Sequence, residues 1–272
     1  MKRLLVLLLA FALCFVLVSC GEAGESEAEQ EGLSDEVYSE TEYDFGLEMT
    51  DDFNLSGVLE KCEYVNLAER EDEFKTMLET GLSESGLDNY KVDDASLKEI
   101  LEHAIEELKA DGNEVTDEMV NAYNNMVFAS ANDGASDDDW DRAIIQIEII
   151  PYVEDYDEES TSSESLEAGK FQHVLDYVGR TYHDPEEPDC EKICADLQSL
   201  MGIKVDPSKL KDALAKAVDI TEKEDRISEL TQEITVEGDG FTDTAHIEVS
   251  AYIDDEVLHV WVEGAGRTRV YE

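Results

Sequence analysis

Basic residues are scarce in this chain: 20 Lys plus Arg stand against 69 Asp plus Glu in 272 residues, a formal charge of −49 at pH 7. Proteins that grip nucleic acid neutralise phosphates with clustered Lys and Arg, and no stretch here carries such a stripe, so nucleic acid is excluded as a partner. The same shortage argues against a protein held electrostatically on anionic lipid. Short motifs that assemble chemistry are missing as well: there is no Gly-x-Ser-x-Gly elbow, His-Glu-x-x-His helix, Walker loop or Gly-x-Gly-x-x-Gly turn. Ser208, Lys209, Leu210 and Lys211 fit a Ser-x-x-Lys tetrad, but the Ser-Asp-Asn and Lys-Thr-Gly companions are absent, and Ser208 reads more simply as a first-turn residue.

Cysteine is nearly as sparse. Beyond residue 20 there are three, Cys62, Cys190 and Cys194, so at most one disulfide can close within the chain. Cys190 and Cys194 fall four apart on a helical pattern, where a disulfide would be strained, and they read as buried free thiols. His183 with Cys190 and Cys194 has the ligand types of a zinc site, but the spacing matches no recurring zinc pattern and a fourth ligand is missing. The sequence therefore points to no catalytic residue, no metal and no cofactor. The 69 acids make some carboxylate pair inevitable in any fold, so a pair for glycosidase chemistry carries no information at this level.

Long hydrophobic runs are confined to one place. Lys2 and Arg3 precede an apolar stretch over residues 4–18, too short for a comfortable membrane span and ending in Leu17, Val18, Ser19, Cys20 and Gly21. This pattern resembles the bacterial lipobox, in which small residues precede a cysteine that becomes the new N-terminus. The resemblance covers about twenty residues and implies cleavage after Ser19, a diacylglyceryl group on the Cys20 thiol, and a cell-membrane address on the extracytoplasmic side. Removal of residues 1–19 would leave the chain two units more negative. Two or more acyl chains hold a protein stably on a bilayer, where one chain is marginal.

Two stretches lack any apolar period. Residues 22–52 are rich in Glu, Asp, Ser and Gly, and a tether is expected over 20–56; residues 154–165 are acidic and serine-rich, and a linker is expected over 156–168. The patterned regions on either side, 57–155 and 169–272, match one another. Tyr90, Lys91, Val92 and Asp93 with Leu97, Lys98, Leu101, Ala104 and Ile105 lie over Ile203, Lys204, Val205 and Asp206 with Leu210, Lys211, Leu214, Ala217 and Val218, at an offset of 113. Ile147, Glu148, Ile149 and Tyr152 lie over Ile247, Glu248, Val249 and Tyr252 at an offset of 100. The 13-residue difference calls for an insertion in the first copy, about the length of residues 116–128.

Each shared helix carries an apolar stripe, Leu97, Ile100, Leu101, Ala104, Ile105 and Leu108 in the first, Leu210, Ala213, Leu214, Ala217 and Val218 in the second. Asp93 and Asp206 stand near the helix starts as capping carboxylates, with Pro207 suited to a first turn. Each shared strand alternates, so that Ile145, Ile147, Ile149 and Val153, or Ala245, Ile247, Val249, Ala251 and Ile253, face a core, with the opposite face wet. Further strands are expected over 230–237, 257–262 and 267–271, and Pro151 is expected at a strand end or sheet edge. The fold class is thus α+β: after a signal peptide (1–19) and a disordered acidic tether (20–56), two tandem repeats (57–155 and 169–272), each with helices packed on an antiparallel β-meander.

One loop has the composition of a cation site. Residues 132–141 bring Asp133, Asp137, Asp138, Asp139 and Asp141 around Gly134, but aligning Gly134 with the EF-hand glycine puts Ala129 at the first ligand position, so an acidic solvated hairpin tip is expected rather than a Ca²⁺ site. Residues 115–120 are mildly similar to segments of trigger-factor-like proteins, six residues of helix-start grammar. The expected role is a lipid-anchored, extracytoplasmic, non-catalytic binding module with an unidentified protein or ligand as partner; the alternatives are a hydrolase whose carboxylates meet only in the fold, and an extracytoplasmic folding factor.

Overall fold

The computed structural model describes residues 38–94, 96–110, 112, 115–133, 143–153, 166–178, 189–224, 227–254 and 257–271. In chain order these form β1 (Tyr38–Glu42), β2 (Glu48–Met49), α1 (Glu71–Glu84), β3 (Lys91–Val92), α2 (Leu97–Ala110), α3 (Asp117–Asn124), β4 (Val127–Asn132), β5 (Ile144–Val153), β6 (Leu166–Val178), α4 (Cys190–Met201), β7 (Ile203–Lys204), α5 (Pro207–Glu224), β8 (Ile227–Glu237), β9 (Phe241–Asp254) and β10 (Val257–Tyr271). Eight strands make one sheet in the order β1-β8-β9-β10-β6-β5-β4-β3. Its neighbours run antiparallel, except that β1 lies parallel to β8; β2 and β7 form a separate antiparallel pair.

The expected α+β class, with helices against meanders, is what the chain adopts. Helix α5 lies against β8, β9 and β10, α1 against β4, and α4 against β10. The alternation read from sequence sets which side they cover: Ile145, Ile147, Ile149, Ala245, Ile247, Val249 and Ala251 are all buried beneath them. Each such isoleucine or valine contributes about 2 kcal/mol of burial. Ile253 shares that face by parity yet is 43% exposed, at the end of β9 next to the hairpin. Pro151 sits in β5 beyond Val127, where β4 begins, so one side of its backbone has no ladder to serve.

Helix starts follow local grammar with one exchange of residues. Asp206 accepts from the backbone N–H of Ser208 at 2.9 Å and from its hydroxyl at 2.7 Å, with Pro207 as the first helical residue of α5. Leu210, Ala213, Leu214 and Ala217 then turn the expected stripe into the core. In α2 the cap is not Asp93: the helix starts at Leu97, and Ser96 Oγ accepts from the N–H of Glu99 at 3.5 Å. The buried Glu71 of α1, paired with Lys75 at 2.8 Å, accepts from the Ser96 hydroxyl at 3.2 Å. Most apolar positions of the α2 stripe lie outside the residues whose side chains are described; Ile105 is half-buried.

Two boundaries differ from the sequence reading. Strand β6 begins at Leu166, inside the expected linker, and pairs with β5 on one side and β10 on the other. It therefore completes the first meander and fuses it to the second, where the sequence reading opened a new module at 169. Residues 38–56, assigned to the tether, belong to the fold. Phe45, Leu47, Phe53 and Leu55 are buried, Tyr43 N donates to Thr231 O, and Thr50 N donates to Gly202 O at 2.8 Å. The cause is legible afterwards: Tyr43, Phe45, Leu47 and Met49 alternate with Asp44, Gly46 and Glu48, a strand period that the acidic composition conceals. Residues 1–37 and 154–165 lie outside the described residues.

Candidate functional site

Reading the ladders sideways shows what each face of the sheet holds. On the helix-covered face one row runs Ile234, Ala245, Arg267, Leu175, Ile147, Ala129 across β8, β9, β10, β6, β5 and β4. An arginine thus stands at the centre of an apolar layer, 1% exposed. Its Nη2 donates to Asp243 Oδ2 at 2.6 Å, its Nη1 to Thr50 O at 2.5 Å, and the Phe53 ring lies 4.8 Å from the guanidinium. Arg269, two residues on, donates to the same Asp243 oxygen at 2.6 Å and to Leu59 O at 3.2 Å, against the Phe241 ring at 4.1 Å.

The Tyr271 hydroxyl joins them on Leu59 O at 2.5 Å. Nearby, the buried His173 has Nδ1 at 2.7 Å from Val58 O and Nε2 at 3.0 Å from the Tyr64 hydroxyl. A carbonyl can only accept, so Nδ1 carries the proton and Nε2 receives one from Tyr64. Burial holds this histidine below its ordinary pKa, with the nearby Arg269 charge adding to the effect, and it pushes the Tyr64 phenol up. These groups are spent on the carbonyls of residues 50–59, on the Asp51 carboxylate or on another member of the cluster, except the buried Arg269 Nε, which has no hydrogen-bond partner. The arrangement is a clasp that holds the N-terminal segment to the sheet.

The opposite face carries a different row: Glu233, His246, Gly266, Asp176, Gln146, Ser130. The row beside it is Thr235, Thr244, Thr268, Val174, Glu148, Phe128, which sets Glu148 diagonal to Asp176 across β5 and β6. Gly266 is the gap that makes the site. A Cβ there would collide with the His246 ring and come within 3.0 Å of Asp176 Oδ1, so only glycine lets the imidazole cross β10. His246 Nε2 reaches to 4.0 Å from Asp176 Oδ1, with side chains 40% and 29% exposed. Asp176 Oδ1 also accepts from the N–H of Tyr177 at 3.0 Å.

The Glu148 side chain forms no hydrogen bond or ion pair among the described residues. Burial, together with the Asp176 charge, pushes its carboxyl up to about 7. Asp176 is raised by burial as well, against the pull of His246. Two carboxylates in the middle of a sheet, one of them beside an imidazole, differ in kind from an acidic coat: Glu148 exchanges a proton near neutral pH, and burial raises Asp176 as well.

The residues singled out from sequence are dispersed. Cys20, Asp137, Asp139 and His183 lie outside the described residues. Asp133 is buried at the neck of the β4–β5 hairpin, where its N–H donates to Ala143 O at 3.2 Å and its Oδ1 accepts from Ala143 N at 3.4 Å. Cys190 and Cys194 are buried and free, and burial pushes the Cys194 thiol up to about 12, the inert state expected of packing residues. Cys62 is half-buried and free. Among the described residues no three His, Cys, Asp or Glu groups converge as a metal ion requires. Sequence reasoning missed the Glu148, Asp176 and His246 cluster; the signal was the Gly-x-Gly at 264–266, beside the register shift between Val262 and Gly264 in β10. No family model, curated protein or solved structure matches the chain.

Proposed function

We propose that this protein is an extracytoplasmic lipoprotein, held to the membrane through Cys20, that works as a non-catalytic binding module, and that the module arose by duplication of one α+β unit. The observation that carries the binding reading is the division of labour between the faces: helices α1, α4 and α5 pack on one, and the other gathers Glu148, Asp176 and His246 at its centre. Duplication draws support from the order of elements. Helix, two-residue strand, helix and three-strand meander occur as α1-β3-α2-β4-β5-β6 and again as α4-β7-α5-β8-β9-β10, with α3 as the extra piece in the first. If β5 corresponds to β9 at the sequence offset of 100, the ladders map β6 onto β10 so that Asp176 corresponds to Gly266, and these two residues face each other across the β6·β10 seam. The active surface then lies on the pseudo-twofold axis, where one copy kept a carboxylate and the other opened a gap for the imidazole.

The anchor has a direct test. Metabolic labelling with a fatty-acid analogue should mark the wild type and leave Cys20→Ala unlabelled, as an uncleaved precursor or as protein released from the membrane. Persistent labelling of Cys20→Ala would place the lipid elsewhere.

A further inference from the structure

We infer that residues 233–237 of β8 form an open sheet edge that takes an extended segment of a partner protein as an added strand, with one Lys or Arg of that segment opposite Glu233 and another opposite Glu237. The edge is separate from the Glu148 cluster and from the anchor, so it goes beyond the binding reading above.

The backbone is the first argument. Thr231 O accepts from Tyr43 N at 2.8 Å, and Gly238 N donates to Phe241 O at 2.8 Å in the β8–β9 hairpin. Strand β8 pairs with β9 without a register shift from Ser228 to Glu237, so its odd-numbered residues turn N–H and C=O towards β1 and its even-numbered residues turn theirs towards β9. Strand β1 uses the odd-numbered groups only as far as Thr231. The chain then turns beneath the sheet, where Phe45 N and Leu47 N donate to Gln232 Oε1 at 2.7 and 3.3 Å. Glu233, Thr235 and Glu237 are left with N–H and C=O groups that no described residue's backbone meets.

Exposure follows the same boundary. Ser228 and Leu230 are buried, whereas Glu233, Thr235, Val236 and Glu237 are exposed, Val236 at 53%. Proteins blunt an open edge with proline, a bulge, a covering segment or charge. Residues 233–237 contain no proline, their pairing with β9 has no bulge, and no described strand pairs with them from the open side. The first half of the same edge already holds an added strand, β1, so the geometry for strand addition is in place, and the open half offers about 17 Å.

Charge is the one guard present, and it selects the partner. A second copy of this chain pairing antiparallel about Thr235 would set Glu233 against Glu237, like charges directly opposite, and is disfavoured. Lys or Arg at those two positions of an incoming segment turns the repulsion into attraction, while β-branched residues between them meet Ile234 and Val236. The chain's own cations near the turn at 43–48 are engaged: Lys209 with Asp44 at 2.6 Å, Lys204 with Glu48 at 2.5 Å, and Lys216 over the Tyr43 ring at 5.1 Å. His246, opposite Glu233 in the ladder, reaches towards Asp176, and Glu237 accepts from the neutral Thr242 hydroxyl at 3.0 Å.

The test uses the full chain and a blocked peptide Ser-Lys-Val-Thr-Val-Lys-Ser, whose symmetry serves a parallel or an antiparallel approach. Hydrogen exchange read by NMR should find the Glu233, Thr235 and Glu237 amides exchanging fast in the free chain and slowed about tenfold or more at peptide saturation. The same peptide with Glu in place of both Lys should not bind. Thr235→Pro removes a donor that the β8·β9 ladder does not use, and it should weaken binding about tenfold or more. To keep the outcome independent of any effect of that proline on folding, Glu233→Lys with Glu237→Lys should reverse the preference, taking the Glu peptide and refusing the Lys peptide. Asp219→Lys with Glu222→Lys, an equal change of charge on α5, should leave the preference as it was. Unchanged exchange at the three amides, equal binding of the two peptides, or an unreversed preference in the Glu233→Lys, Glu237→Lys variant would overturn the proposal. None of these outcomes bears on acylation of Cys20 or on the Glu148 cluster, so failure here leaves both readings standing.

Discussion

Asp243 has two guanidinium groups on one carboxylate oxygen, both held beneath residues 50–59. Asp243→Asn keeps the shape and removes the charge, leaving Arg267 and Arg269 facing each other without an anion between them. Breaking a buried pair in this way costs about 3–5 kcal/mol, read as a fall in unfolding free energy in urea; a loss under about 1 kcal/mol would show that water screens the cluster. Glu148 gives the opposite prediction. Its carboxyl is raised from 4.5 to about 7, so the stability it contributes is fully present below about pH 4.5 and is lost as pH rises through 7. Glu148→Gln should therefore raise the thermal midpoint relative to wild type at pH 8 and leave it nearly unchanged at pH 4, a difference that equal shifts at both values would refute. His173 works at the other end of the range: held neutral by burial, it favours the fold above its ordinary pKa and withdraws that support as acid protonates it. Neither charged cluster was visible in the sequence as a cluster. Asp243 is 24 residues from Arg267, and among 69 acids nothing marks the one whose partner is an inward-facing arginine.

Among the elements, regular strands and amphipathic helices were legible and their irregular companions were not. The stripe of α5 and the alternation of β5 and β9 follow from side-chain period alone, which is why Leu210 and Ile147 are buried where expected. The segment over 38–56 went unrecognised because its acids outvote its apolar residues in any composition window. Its docking depends on Gly202, the residue after α4, whose φ of 70° and close approach to Thr50 O, Phe53 and Arg267 leave no room for a side chain. Gly202→Ala should cost about 2 kcal/mol or more, the αL penalty plus overpacking, and it should expose the 43–56 segment to protease before the sheet unfolds. An unchanged digestion pattern would show that the contact is dispensable. The seam at β6·β10 was unreadable for another reason: an antiparallel partner some ninety residues away leaves no local trace in either strand.

At the scale of the whole molecule, a charge of −49 repels itself, and monovalent salt should stabilise the fold by screening. Thermal midpoints should climb with NaCl, and Ca²⁺ at matched ionic strength should add no saturable increment; a saturating Ca²⁺-specific rise, lost in Asp137→Asn with Asp139→Asn, would make residues 132–141 a true site. The topology also sets an order of events. Strand β10, residues 257–271, joins the two meanders at the centre of the sheet and follows every other described strand in the chain. Until those residues arrive, β6 and β9 each lack a neighbour and the buried face has no middle. Pairings this distant form slowly because the loop must close before any contact repays it. A chain arranged in this way stays open until β10 is made, and it becomes a single sheet only when that strand enters between β6 and β9.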